Sequence, residues 1–170
     1  MFVDVHVLQT VPPSCINRDD TGSPKTAVYG GVTRARVSSQ SWKHAVREYF
    51  SKKFPSDQSG YRTKKILDLV QEEIAKLAAD KDAEKLARTA LENAGLKLKK
   101  KKGEDEEGRD VEALFFISEA QIKALAQLAV TDEADKKKYK EALKTQPSVD
   151  MALFGRMVAS DPSLNFDACC

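Results

Sequence analysis

Between Tyr29 and Phe50 the sequence YGGVTRARVSSQSWKHAVREYF passes from extended to helical patterning across two serines, and this junction constrains the fold most. Residues 32–37 alternate, which places Val32, Arg34 and Arg36 on one pleat face and Thr33, Ala35 and Val37 on the other. From Gln40 to Phe50 there is neither Gly nor Pro, and Ser38 or Ser39 offers a hydroxyl to cap the helix that begins there. A strand is therefore expected to run directly into a capped helix over 39–51. Lys43 and Arg47 lie four apart on one helix face, while Trp42, Ala45, Val46 and Tyr49 can pack the other.

That junction suits an anion. A helix start presents backbone N–H groups and the positive end of its dipole, the serines add hydroxyls, and Arg34, Arg36, Lys43 and Arg47 can surround a phosphate. The same residues also fit a simple helix cap with solvated charges.

GGVTRARVSSQSWKHAVR resembles the glycine-pair, basic-strand and SSQS-basic-helix signature of CasC, the repeated backbone subunit of the type I-E CRISPR Cascade complex. FVDVHVLQTVPPSCINRDDTGSPKTAVYGG resembles that family's opening strand and P-S-C-x-N-R-D-D loop, and SVDMALFGRM resembles a third motif. Residues 51–146 match only as a variable helical insertion.

The resemblance implies a non-cleaving, cytoplasmic subunit that lines CRISPR RNA as a filament with further copies of itself and other Cascade subunits, for recognition of target DNA. Its sheet would be a modified RNA-recognition (ferredoxin-like) palm, and the insertion its fingers. Asn17, Arg18, Arg34, Arg36, Ser38, Ser39, Gln40, Lys43 and Arg47 are then the expected RNA-binding residues. Guide pairing would carry the sequence specificity, leaving the protein to read backbone and shape. The family's pattern continues past the final NFDACC, so the chain is expected to be the N-terminal portion of such a subunit, either truncated or half of a split one.

Composition sets independent bounds. A chain of 170 residues, 41% apolar and 32% charged, can bury one moderate core. A net charge of +2 is too small to attract nucleic acid by excess, so any such affinity must come from local clusters. No run approaches the length of a membrane span, and the start lacks the pattern of a signal peptide. Cys15, Cys169 and Cys170 show no CxxC spacing and are expected as free thiols.

Residues 2–8 alternate, with Val3, Val5 and Val7 on one face, and are expected to form a strand in which His6 carries no chemistry. Pro12, Pro13, Asn17, Asp19, Asp20, Gly22 and Pro24 then make a long loop. Asp19-Asp20 is a carboxylate pair of the kind that can hold Mg²⁺ against a phosphodiester, and related type III backbone subunits cut RNA with an aspartate in the equivalent loop. Adjacent residues rarely aim at one ion, and neither a base nor a further ligand stands out. No catalytic residue, metal or cofactor is assigned.

From Tyr61 the period becomes helical. Ile66, Val70, Ile74 and Leu77 mark one helix; Ala83, Leu86, Ala87, Ala90, Leu91 and Ala94 mark another, ended by Gly95. LKLKKKKGEDEEGR sets Lys97, Lys99, Lys100, Lys101 and Lys102 before an acidic block, an exposed hairpin or loop that either touches DNA or is simply solvated. Residues 111–117 fit a strand or a helix start. Ser118 and Gln121 form a capping box, Thr131 is a further cap candidate for a helix bearing Tyr139, Ala142 and Leu143, and alternation over 149–154 suggests a returning strand.

The expected fold is α+β: a partial palm from 1–54 and 147–170, with strands near 2–8, 28–37 and 149–154, and a large helical subdomain inserted over 55–146.

Overall fold

A computed structural model describes residues 2–100 and 107–169 and combines helices with small antiparallel sheets. The chain divides into two units, Met1–Val46 and Arg47–Cys170. Among the described residues, no helix is long and apolar enough to cross a membrane.

In the first unit, β1 (Thr26–Tyr29) and β2 (Val32–Ala35) pair antiparallel, with Tyr29 opposite Val32. Gly30 and Gly31 make the turn at φ +63° and +77°, the doubly positive pair that a two-residue type I′ hairpin requires. The single strand expected over 28–37 is thus corrected to a hairpin, with the glycine pair folding the chain back on itself. An isolated bridge between Arg18 and Pro24, with the Lys25 N–H donating to the Asn17 carbonyl at 2.9 Å, pairs residues 17–18 with residues 24–25 just ahead of β1. The strand expected over 2–8 is corrected as well. No described strand pairs with it, and Phe2, Val3, Val5, Val7 and Leu8 are exposed. Alternation alone supplies no partner backbone.

The helix α1 (Ser39–Lys53) begins where the sequence places it. In the second unit, α2 (Ile66–Leu77), α3 (Ala83–Asn93), α4 (Glu119–Val130) and α5 (Lys136–Ala142) gather around one apolar core. Ile66, Leu67, Val70, Ile74, Leu91 and Leu125 are fully buried in it. Asp82 caps α3 by accepting the Lys85 N–H. Gly95, at φ +83°, ends it in a Schellman turn, with Leu96 N–H donating to Leu91 and Gly95 N–H to Glu92. Ser118 and Gln121 form the expected capping box at α4.

Two short sheets flank the helices: β3 (Tyr61–Thr63) with β6 (Phe115–Ile117), and β4 (Leu98–Lys100) with β5 (Glu107–Val111). The segment from Tyr61 therefore opens as a strand before turning helical. Thr131 ends α4 instead of starting α5: its hydroxyl donates to Gln127 and Leu128 carbonyls, and Asp135 caps α5.

The strand expected over 149–154 is a helix, α6 (Val149–Phe154). Six residues fit either period, and burial decides: helical geometry buries both Asp150 and Met151, which lie on opposite faces of a strand. Asp150 accepts the Gly60 N–H at 3.0 Å. The following Gly155, at φ +72°, lets the chain pass close to the Phe166 carbonyl, and Arg156 bridges to Phe166.

Arg156 is 5% exposed, and its guanidinium donates to the carbonyls of Leu164, Leu143 and Phe116 and to Gln121 Oε1. It also lies over the Phe115 ring. Burial pushes it down to about 10, which leaves it protonated at neutral pH. One buried cation thereby ties residues of 143–164 to β6 and α4.

Candidate nucleic-acid interface

The expected RNA-binding residues of the first unit meet at the start of α1. Ser38 is its N-cap: the Ser38 hydroxyl accepts the Ser41 N–H at 3.3 Å and its carbonyl accepts the Trp42 N–H. Ser39 and Gln40, in the first turn, are exposed. Arg34 and Arg36 are exposed too, two residues apart along an extended backbone. The Arg34 Nε donates to the Tyr29 carbonyl at 3.0 Å, which holds its guanidinium at the hairpin turn. Lys43 is half-buried one turn into the helix.

Asn17 joins this cluster from far upstream in the sequence, its Oδ1 accepting the Ser38 N–H at 2.9 Å. Arg18 is exposed, and its Nη1 donates to the Gly22 carbonyl at 2.5 Å. The neighbouring Asp19 carboxylate accepts the Thr21 hydroxyl at 2.7 Å and the Thr21 and Ser23 N–H groups at 2.9 Å, and these bonds hold it below the usual carboxylate range. Asp19 is thus occupied in shaping the loop. Among the described residues, no group of three His, Cys, Asp or Glu gathers in a way that could hold a metal.

Arg47 has a different environment. It belongs to the second unit and there faces Asp150 at 3.7 Å, with its guanidinium over the rings of Phe116 and Phe154 at 5.0 and 5.1 Å. Burial lowers its proton affinity, opposed by the Asp150 carboxylate. The expectation that Lys43 and Arg47 share one helix face around a phosphate takes no account of this carboxylate.

Lys97 and Lys99 are exposed and alternate with buried Leu96 and Leu98; Lys100 ends β4. Lys101 and Lys102 lie outside the described residues. Arg109, beyond the acidic block, is tied down, donating to Asp68 at 2.7 Å and Glu84 at 2.8 Å.

Two contributors escaped sequence reasoning. Lys25 acts through its backbone, bonding Asn17 on one side and Arg36 on the other, and a backbone role leaves no side-chain signature. Asp150 lies in a segment whose alternation suggests a strand, and strand geometry gives no reason to set it beside Arg47.

A family model described as CT1975-like protein matches residues 3–170. The chain belongs to that family. Two solved chains are similar to this CT1975-like chain. One, described as "CRISPR RNA-guided surveillance complex", is 36% identical with a TM-score of 0.65 over 94% of this chain and 53% of its own. The other, described as "CRISPR RNA-guided surveillance complex, pre-nicking", is 35% identical with a TM-score of 0.53 over 90% of this chain and 46% of its own. This CT1975-like chain thus spans about half the length of each. A search of curated proteins finds no match.

Proposed function

We propose that this CT1975-like chain serves as a non-cleaving, guide-RNA-binding part of the backbone of a CRISPR surveillance complex. The reading extends to a cytoplasmic type I-E, CasC-like subunit that forms a filament with copies of itself and other Cascade subunits for recognition of target DNA. In it residues 1–54 and 147–170 belong to a modified RNA-recognition palm, and the helices of residues 55–146 act as fingers. The observation that carries it is the basic junction of the first unit, where exposed Arg34 and Arg36 run into a capped helix start within a chain that resembles members of RNA-guided complexes. Backbone-fixed cations beside a helix N-terminus read phosphate without reading bases.

Arg34, Arg36 and Lys43, which flank the helix start, are the cations assigned to RNA phosphate, and Arg47 is paired with Asp150. Three contacts at about 0.7 each give a slope of log affinity against log salt near −2 for single-stranded RNA, where four would give about −3. The triple alanine variant should flatten that slope while circular dichroism stays unchanged; an unaltered slope and affinity removes the assignment. Cleavage of labelled RNA in Mg²⁺ that is lost on Asp20→Ala would replace the non-cleaving reading with a nuclease.

Lys97, Lys99, Lys100, Lys101 and Lys102 are assigned to target DNA. Alanine at all five should weaken nonspecific duplex binding and leave RNA loading intact, since affinity of that kind is mainly counterion release. Equal losses for both nucleic acids would remove the separate role.

A further inference from the structure

We propose that Asn17 is a positioning residue, one that locks the start of α1 and the Arg36 backbone together and acts on RNA only through them; the proposal rests on the guide-RNA reading above. Three hydrogen bonds, each of 2.9 Å, close a ring. The Lys25 N–H donates to the Asn17 carbonyl, the Arg36 N–H donates to the Lys25 carbonyl, and the Ser38 N–H donates to Asn17 Oδ1. The ring joins the loop, the hairpin and the helix start at one residue. Its members include Arg36, an exposed cation, and Ser38, which is buried.

A comparison within the chain explains why the helix needs a distant partner. At α4 the capping box is local: the Ser118 hydroxyl accepts from Gln121 N–H, and the Gln121 side chain reaches back to the Ser118 N–H at 3.2 Å. At α1 the residue three beyond the cap is Ser41, which has no side-chain amide to reach back. Asn17 supplies the missing acceptor from 21 residues upstream, so the cap is completed only when the loop is folded. The bonds of Arg18 to Gly22, and of Asp19 to Thr21 and Ser23, curl the intervening loop so that it returns Lys25 to Asn17. Without the Asn17 side chain, the N–H of buried Ser38 loses its partner, and a buried donor left unpaired loosens the segment that carries it.

The test uses the full chain, with hydrogen exchange at the Ser38 amide and binding of a labelled single-stranded oligoribonucleotide. Asn17→Ala should speed Ser38 exchange, and Asn17→Asp, which keeps an oxygen at the same reach, should restore protection. Asn17→Ala should weaken RNA binding about 5–10-fold, the scale of one hydrogen bond. In an Arg36→Ala, Lys43→Ala background the same change should cost less than about 2-fold, because a residue that works through others loses its effect once they are gone. Equal losses in both backgrounds would make Asn17 a direct RNA ligand and overturn the positioning role, as would unchanged Ser38 exchange in Asn17→Ala. Failure of the unaltered chain to bind the oligoribonucleotide would instead overturn the guide-RNA reading and the positioning role together, leaving exchange to report whether the ring itself exists.

Discussion

The two units of this chain handle apolar side chains in opposite ways. In the first, Val28, Tyr29, Val32 and Trp42 are exposed, and the hairpin is held by ladder bonds, a glycine turn and the ring through Asn17. In the second, Ile66, Leu67, Val70, Ile74, Leu91 and Leu125 are fully buried. Burying such side chains is worth about 1.5–3 kcal/mol each, whereas a two-stranded hairpin is marginal on its own. Stability therefore resides in the helical unit, and the groups assigned to RNA lie where backbone bonds, not core packing, set their positions.

Arg156→Ala should be the most damaging change. It removes the guanidinium donor from the carbonyls of Leu164 and Phe116, and from that of Leu143, which keeps the Gln121 amide. A loss of more than about 3 kcal/mol is expected in urea unfolding, the scale for emptying a buried hydrogen-bonded network. Arg156→Lys should recover only a fraction, since a single ammonium cannot serve acceptors arranged around a planar fork. A wild-type midpoint for the alanine variant would show that residues 143–164 do not depend on this cation.

Gly60→Ala comes next. A Cβ there would overlap the Phe116 ring and lie 2.5 Å from Ser148 Oγ, beside the Asp150 carboxylate that accepts the Gly60 N–H. Overpacking of this kind costs about 1–3 kcal/mol. Retention of full stability would mean that Phe116 yields without cost, and that the second unit is less tightly packed around β3 and β6 than the contrast requires.

Local signals were legible in the sequence and distant ones were not. The Ser118–Gln121 box, the Gly95 stop and the Ser38–Ser39 helix start each lie within a few residues, so they could be read directly. Residues 149–154 satisfy both periods, and the contact that selects the helix, Asp150 with Gly60, joins positions far apart in the sequence. The Gly30-Gly31 hairpin was missed because the alternation beyond it was joined to the strand before it. At the site, the residue types around the helix start were visible. The acceptor for Ser38 and the carboxylate facing Arg47 come from elsewhere in the chain, and no spacing rule connects them.

A smaller effect belongs to acid conditions. Lys140 Nζ lies 2.6 Å from Asp161 Oδ2, and this bond, with further bonds from Ser163, holds Asp161 down at about 2. An unfolded aspartate titrates near 4, so the folded state binds its proton later. The contribution is therefore fully present above about 4 and disappears as pH falls toward 2. Asp161→Asn should flatten that acid limb of the stability curve and change little in the shape of the curve near neutrality. An unchanged acid limb would mean that the pair is too well solvated to link proton binding to folding in this unit.

The smallest expected effect tests the first unit directly. Val28 is 74% exposed and sits opposite Thr33 in the hairpin ladder. Val28→Thr keeps β-branching, and with it the strand preference, while replacing a methyl with a hydroxyl. In solvent that exchange should alter stability by no more than about 0.5 kcal/mol, whereas Ile74→Ala in the second unit should cost about 2–5 kcal/mol. Urea midpoints of the two variants measured side by side decide the matter. A loss above about 1 kcal/mol for Val28→Thr would mean that this face is covered in solution, and the contrast between an uncovered basic hairpin and a packed helical unit would fail at its simplest point.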